Sequence, residues 1–136
     1  MASWDDNPCF ICGMHTEVGL RAHFEYEEEG SHVHSAVAVG ETWQGFNGMV
    51  HGGIIAGLID DAMWHALFHD HQLITMTAQL TVRYRRPVPI NTPLDIFGAV
   101  TQFNRRAAHA KAWIASADGI LVTAEGIFMP PRDPQG

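Results

Sequence analysis

Polar and apolar positions along the chain follow two periods. Over residues 19–28 they alternate, Leu20, Ala22, Phe24 and Tyr26 facing one way and Arg21, His23 and Glu25 the other, which predicts a half-buried strand. After the polar turn Glu27-Glu28-Glu29-Gly30 the period of two resumes through Val33, Val37 and Val39 over residues 31–39, so the two segments should form a hairpin. Residues 40–50 read as a loop. From residue 51 to about 69 the spacing becomes three and four, through Ile54, Ile55, Leu58, Ile59, Ala62, Ala66 and Leu67, and predicts one helix. Its remaining surface, with Ala56, Gly57, Met63, Trp64 and Phe68, is also apolar or small, so the helix should be enclosed on nearly all sides. Alternation returns over residues 73–85, 94–103, 107–117 and 120–129, with breaks at Pro87-Val88-Pro89, Asn104-Arg105-Arg106 and Asp118-Gly119. Two strands, a buried helix and four more strands predict an α+β fold in which one antiparallel sheet curls around the helix.

A length of 136 residues suits one domain and cannot supply two cores. The expected organisation is an irregular lead over residues 1–18, the sheet-and-helix domain over 19–130, and a flexible tail over 131–136 whose prolines cannot continue a strand. With 46% hydrophobic and 17% charged residues the composition is that of a folded globular chain. A net charge of -7 with only 8 Lys and Arg argues against a nucleic-acid partner. No apolar run approaches the roughly 20 residues of a membrane-spanning helix, and the opening residues carry acid where a secretory signal carries base. A cytoplasmic location without membrane association is expected.

The charges of the helix are the informative ones. Asp60 and Asp61 are the only Asp, Glu, Lys or Arg between His51 and Phe68, and no Lys or Arg stands at helical pairing distance from either. Around Asp60 the helix places Ala56, Gly57, Met63 and Trp64, a setting that raises a carboxyl pKa by desolvation and marks a general base. Gly52 and Gly53 open the same helix, where N–H groups lack intrahelical partners and carry the positive end of the dipole. Without side chains they let a carbonyl approach those donors, as an oxyanion hole requires; a flexible loop entering a helix is the plainer alternative.

The segment from Gln44 through His51-Gly52-Gly53 to Asp60, eight residues after Gly52, closely resembles the hotdog-fold thioesterase superfamily. The likeness is to the His-Gly-Gly…Asp branch that includes phenylacetate-pathway-type thioesterases. It covers nearly the whole chain, from Cys9 through Tyr84-Arg85-Arg86-Pro87 to Asp118-Gly119. The resemblance implies a hotdog fold, hydrolysis of acyl-coenzyme A without a cofactor, and a homodimer or dimer of dimers with active sites at the interface. It implies Asp60 as base or nucleophile, the Gly52 N–H as the donor to the thioester carbonyl, His51 as a residue shaping the turn, and Thr77 as a water-holding residue lent by the partner subunit. Thr75, Thr77, Gln79 and Thr81 alternate along one predicted strand, and polar β propensity explains them equally well. Relatives carry Gln-Gly-Tyr-Pro-Gly before the His-Gly-Gly; here Phe46-Asn47 replaces Tyr-Pro, leaving either Gln44 or Asn47 to line the site. Gly53, Met63 and Trp64 are further expected substrate contacts.

Arg85, Arg86, Arg105 and Arg106, with Arg83, cluster in an acidic chain, and guanidinium groups there suit the coenzyme A phosphates. Cys9 and Cys12 are too close to staple a fold and read as reduced thiols or metal ligands. With His15 they make half of a zinc site, and no second Cys pair completes it, so no metal is expected. Two rival functions remain: an acyl-coenzyme A sensor without catalysis, and a hotdog hydratase or dehydratase, which would use a His with a differently placed acid.

Overall fold

The structure, a computed structural model, describes residues 7–130. Two strands come first, β1 (Glu25–Glu27) and β2 (His32–Val37), then helix α1 (Gly52–His71). Four follow: β3 (Met76–Tyr84), β4 (Leu94–Phe103), β5 (Ala108–Ser116) and β6 (Gly119–Met129). They form one 6-stranded antiparallel sheet in the order β1-β2-β4-β5-β6-β3. The chain leaves β2 near one edge, crosses the concave face as α1, and returns as β3 at the opposite edge.

The expected helix and the four later strands appear within a few residues of their expected limits. The first strand does not: only Glu25–Glu27 is strand. Arg21 takes a left-handed φ of 53°, which breaks the extended path, and the Leu20 and Ala22 N–H groups donate to Phe10 and Ile11 carbonyls. Residues 20–22 therefore pair with the Cys9–Cys12 loop and not with β2. The tail expected over 131–136 lies outside the described residues.

The core forms where α1 lies on the sheet. Ile55, Leu58, Ile59, Ala62, Met63 and Leu67 from the helix are buried against Ile96, Ala110, Ala112, Ile114, Val122 and Phe128. Helix and sheet meet most closely at Gly98, where a Cβ would stand 2.4 Å from the Ala62 carbonyl oxygen. Ile11 covers another side, with its Cδ1 3.0 Å from where a Gly57 Cβ would be. The helix is thus enclosed by the sheet and the N-terminal segment, but Ala56, Asp60 and Trp64 remain only partly covered. That open strip faces the β3 edge, and β3 itself is exposed along most of its length.

Ala62 at the Gly98 contact is backbone and cannot rotate away, so Gly98→Ala should force helix and sheet apart. The expected loss is about 2 kcal/mol or more, the scale of core overpacking, measured by urea unfolding. Unchanged stability would show that the helix does not sit this close.

Candidate active site

The helix start is fixed by His51. With φ −59° and ψ 136° it stands outside the helix, and its Nδ1 accepts the Gly53 N–H at 2.8 Å. This is an N-cap bond made by an imidazole. It corrects one expectation: the Gly53 N–H is already engaged, leaving the exposed Gly52 N–H as the donor without a partner among the described residues. The Tyr84 hydroxyl donates to the Gly52 carbonyl at 2.8 Å, tying the helix start to the end of β3. Tyr84 was not singled out from the sequence, although the period of two places it facing the helix.

Asp60 sits on the partly open strip. Thr77 Oγ1 donates to Asp60 Oδ1 at 2.5 Å. Desolvation by burial raises the Asp60 carboxyl above its ordinary value, the Thr77 bond opposes that, and the neighbouring charge of Asp61 adds to it. No Lys or Arg pairs with Asp60 among the described residues. The result is a carboxylate with one oxygen held by a hydroxyl, made more basic by its surroundings.

The expectation that Thr77 comes from a partner subunit is overturned, because both residues belong to one chain. The cause is a β-bulge. The register of β3 on β6 shifts between Thr77 and Gln79, and an extra residue exchanges the two faces of a strand. Thr75, buried, and Thr77 point to the helix side before the bulge; Leu80, Val82 and Tyr84 do so after it. Gln79 and Thr81 turn to the outer face, so the four residues do not share a face.

Other expected contacts divide similarly. Met63 is fully buried against Gly126 and belongs to the core, not to a substrate site. Trp64, one turn beyond Asp60, donates its indole N–H to the Thr75 carbonyl at 3.0 Å and stacks on Phe68, beside the carboxylate. Gln44 spends its side-chain carbonyl on the Gly48 N–H at 3.0 Å, whereas Asn47 and Phe46 are exposed at the loop tip. The structure thus separates the two: Gln44 shapes the loop and Asn47 is available.

Arg85 bonds Thr123 and Arg86 bonds the Asp118 carbonyl, beside the Gly52 end of the helix; Arg105 and Arg106 ride the exposed turn after β4. That turn leads into Ala108, level with Phe128 and Thr77, while Tyr84 is level with Val122. The two arginine groups are therefore about 20 Å apart along β6 and do not converge within one chain. Gly52 and Asp60 also stand apart, at eight residues of helical rise, about 12 Å. A carbonyl bonded to one donor, with a water between its carbon and the base, spans about 10 Å.

A concavity of about 490 Å³ lies on the outer face of the sheet, lined by Thr81, Arg83, Arg85, Lys111, Trp113 and Glu125. It is away from Asp60. Cys9 and Cys12 form no disulfide, and burial first, the Asp61 charge second, pushes the Cys12 thiol far up.

One long helix in a curled antiparallel sheet, opened by His-Gly-Gly and carrying a desolvated Asp, defines a class. Residues 47–123, more than half of the chain, match the Thioesterase superfamily, and the chain belongs to that family. It is 32% identical over 75 residues to acyl-coenzyme A thioesterase THEM4 of Rattus norvegicus, covering 55% of this chain and 32% of the rat protein. It thus spans about a third of the length of that curated relative. A crystal structure of a thioesterase superfamily protein superposes with TM-score 0.83 at 30% identity, over 89% of this chain and 59% of that one. A Bacillus halodurans protein crystallised with CoA shares the fold at TM-score 0.75 and 19% identity, over 88% and 82% of the two chains. The fold is the hotdog fold. No helix among the described residues is long and apolar enough to cross a membrane.

Proposed function

We propose that this protein hydrolyses an acyl-coenzyme A thioester to the free acid and coenzyme A, with Asp60 as general base. The observation that carries this is the pairing of an uncompensated, desolvated carboxylate with a hydroxyl donor, Thr77, on the helix of a thioesterase-family fold. Thr77 holds Oδ1 and leaves Oδ2 to take a proton from water. The resulting hydroxide attacks the carbonyl carbon, the oxyanion rests on the Gly52 N–H, and collapse expels the coenzyme A thiolate, which recovers the proton from Asp60. The two relatives named for or crystallised with coenzyme A species support the substrate class. The carboxylate also argues against a non-catalytic sensor, which could dispense with it.

In our reading the donor and the base of one site come from two chains, the interface arrangement that the family resemblance implies. A homodimer provides this. The exposed edge strand β3, with Met76 at 69% and Ile74 at 52% exposure beside it, is an aggregation template unless another strand covers it. Antiparallel pairing of β3 with its copy brings the Tyr84 and Gly52 end of one chain to the Thr77 and Asp60 end of the other. It carries Arg85 and Arg86 of the first toward Arg105 and Arg106 of the second, as one phosphate-binding group. Asn47 accompanies Gly52.

Asp60→Asn should lower kcat by about a hundredfold or more without unfolding the chain, in an assay of thiol release from short, long and aromatic acyl-coenzyme A species. Near-normal kcat, or thiol release from no acyl species by the wild type, contradicts the assignment.

The shared site has its own test. Gly52→Pro removes only the N–H, because proline suits the first helical position and the extended His51 tolerates a following proline. Mixed dimers of Asp60→Asn and Gly52→Pro subunits should recover toward half of wild-type activity. Mixed dimers of Asp60→Asn and Thr77→Val should not, because those residues share a chain. The reverse pattern, or a monomer by light scattering at micromolar concentration, overturns the arrangement.

A further inference from the structure

The remaining carboxylate of the helix, Asp61, faces away from the catalytic strip into a buried cluster. Cys9 Sγ lies 3.9 Å from Asp61 Oδ1, and Cys9, Cys12 and Asp61 each offer an atom within 4.8 Å of the other two. One helical turn on, His65 Nε2 lies 3.6 Å from Asp61 Oδ2, with both side chains 13% exposed. Asp61 Oδ2 and His65 Nε2 are buried without a hydrogen-bond partner. Two such atoms facing each other are costly to leave unsatisfied. Apart from His65, no cationic group approaches Asp61 among the described residues.

The loop is built to present sulfur. The Ile11 N–H points at Cys9 Sγ at 3.4 Å, and the Gly13 N–H closes the turn onto the Cys9 carbonyl at 2.8 Å. Gly13 is required there, because a Cβ would stand 2.4 Å from the Asn7 carbonyl oxygen. Cys12 is 3% exposed. Tetrahedral zinc with two thiolates and two lighter ligands has ligand–ligand edges of about 3.3–3.8 Å; Cys9, Cys12 and Asp61 close to these from within 4.8 Å of one another, and His65 joins them by swinging from Asp61 toward the sulfurs.

We propose that Cys9, Cys12, Asp61 and His65 form a structural zinc site that fastens the N-terminal segment to α1 behind the catalytic strip. Two thiolates with a carboxylate and an imidazole suit a borderline-soft divalent ion, and an Asp and a His four residues apart share one helix face. Binding displaces one proton from each thiol and leaves no open position, so the ion is not the catalyst. The site does not depend on the thioesterase reading.

The test is metal analysis of the purified, reduced full chain after incubation with zinc and desalting. About one zinc per chain is expected, with Asp61→Asn and His65→Ala each weakening affinity at least tenfold and Cys9→Ser/Cys12→Ser abolishing binding. Cobalt in place of zinc should give an intense thiolate-to-metal charge-transfer band and a tetrahedral ligand-field spectrum. Zinc below roughly a tenth of an equivalent in the wild type, or full zinc in the double Ser variant, overturns the proposal. Should the double variant fail to fold, the wild-type cobalt spectrum decides: an octahedral spectrum without sulfur charge transfer, or a Cys9–Cys12 disulfide that excludes the metal, also overturns it.

Discussion

The structure depends on laying a nearly uncharged helix across a concave sheet while finding places for two adjacent carboxylates. Successive helical residues point about 100° apart, so Asp60 and Asp61 cannot share an environment. Asp60 reaches Thr77 at the β3 edge, and Asp61 reaches the loop that carries Cys9 and Cys12. Neither faces the centre of the sheet, where Gly98 brings the helix too close. The depth of that contact and the side of the helix left open therefore determine where chemistry can occur.

The open strip leaves the carboxylate only partly desolvated, and this suits the role we propose for it. A fully buried Asp60 would bind a proton too firmly to act near neutral pH, and a fully exposed one would be a weak base. The Thr77 bond counteracts burial and the Asp61 charge reinforces it, so the basicity of one residue is set by burial and by two neighbours, one on β3 and one on its own helix. In the proposed dimer a second copy covers the same strip, bringing an N–H to the base as it buries the strand edge. Stability and catalysis would then use one surface.

Much of this was legible in the chain. Alternation located β2 and the four later strands, helical spacing located α1, and the lack of local pairing for Asp60 marked it for a desolvated position. Contacts made by partners distant in sequence were not legible. The bulge at Ala78 arises from how β3 meets β6, and it places Thr77 and Thr81 on opposite faces despite their regular spacing. The left-handed turn at Arg21 belongs to a loop pairing that periodicity does not register. Met63 looked like a pocket residue because its place on the helix allowed two faces, and only the packing against Gly126 chooses the core. The cysteine pair looked incomplete because its partners stand on the helix, 52 residues from Cys9 to Asp61, where a search for a second cysteine pair does not find them.

The most direct measurement is a crystal structure of the Asp60→Asn protein with an uncleaved acyl-coenzyme A. The account predicts a dimer paired through β3, the thioester oxygen within hydrogen-bond distance of the Gly52 N–H of one chain, the carbonyl carbon facing residue 60 of the other, and the phosphates among the arginines at the interface. A thioester bound instead on the outer face of the sheet, among Arg83, Arg85 and Lys111, would contradict it.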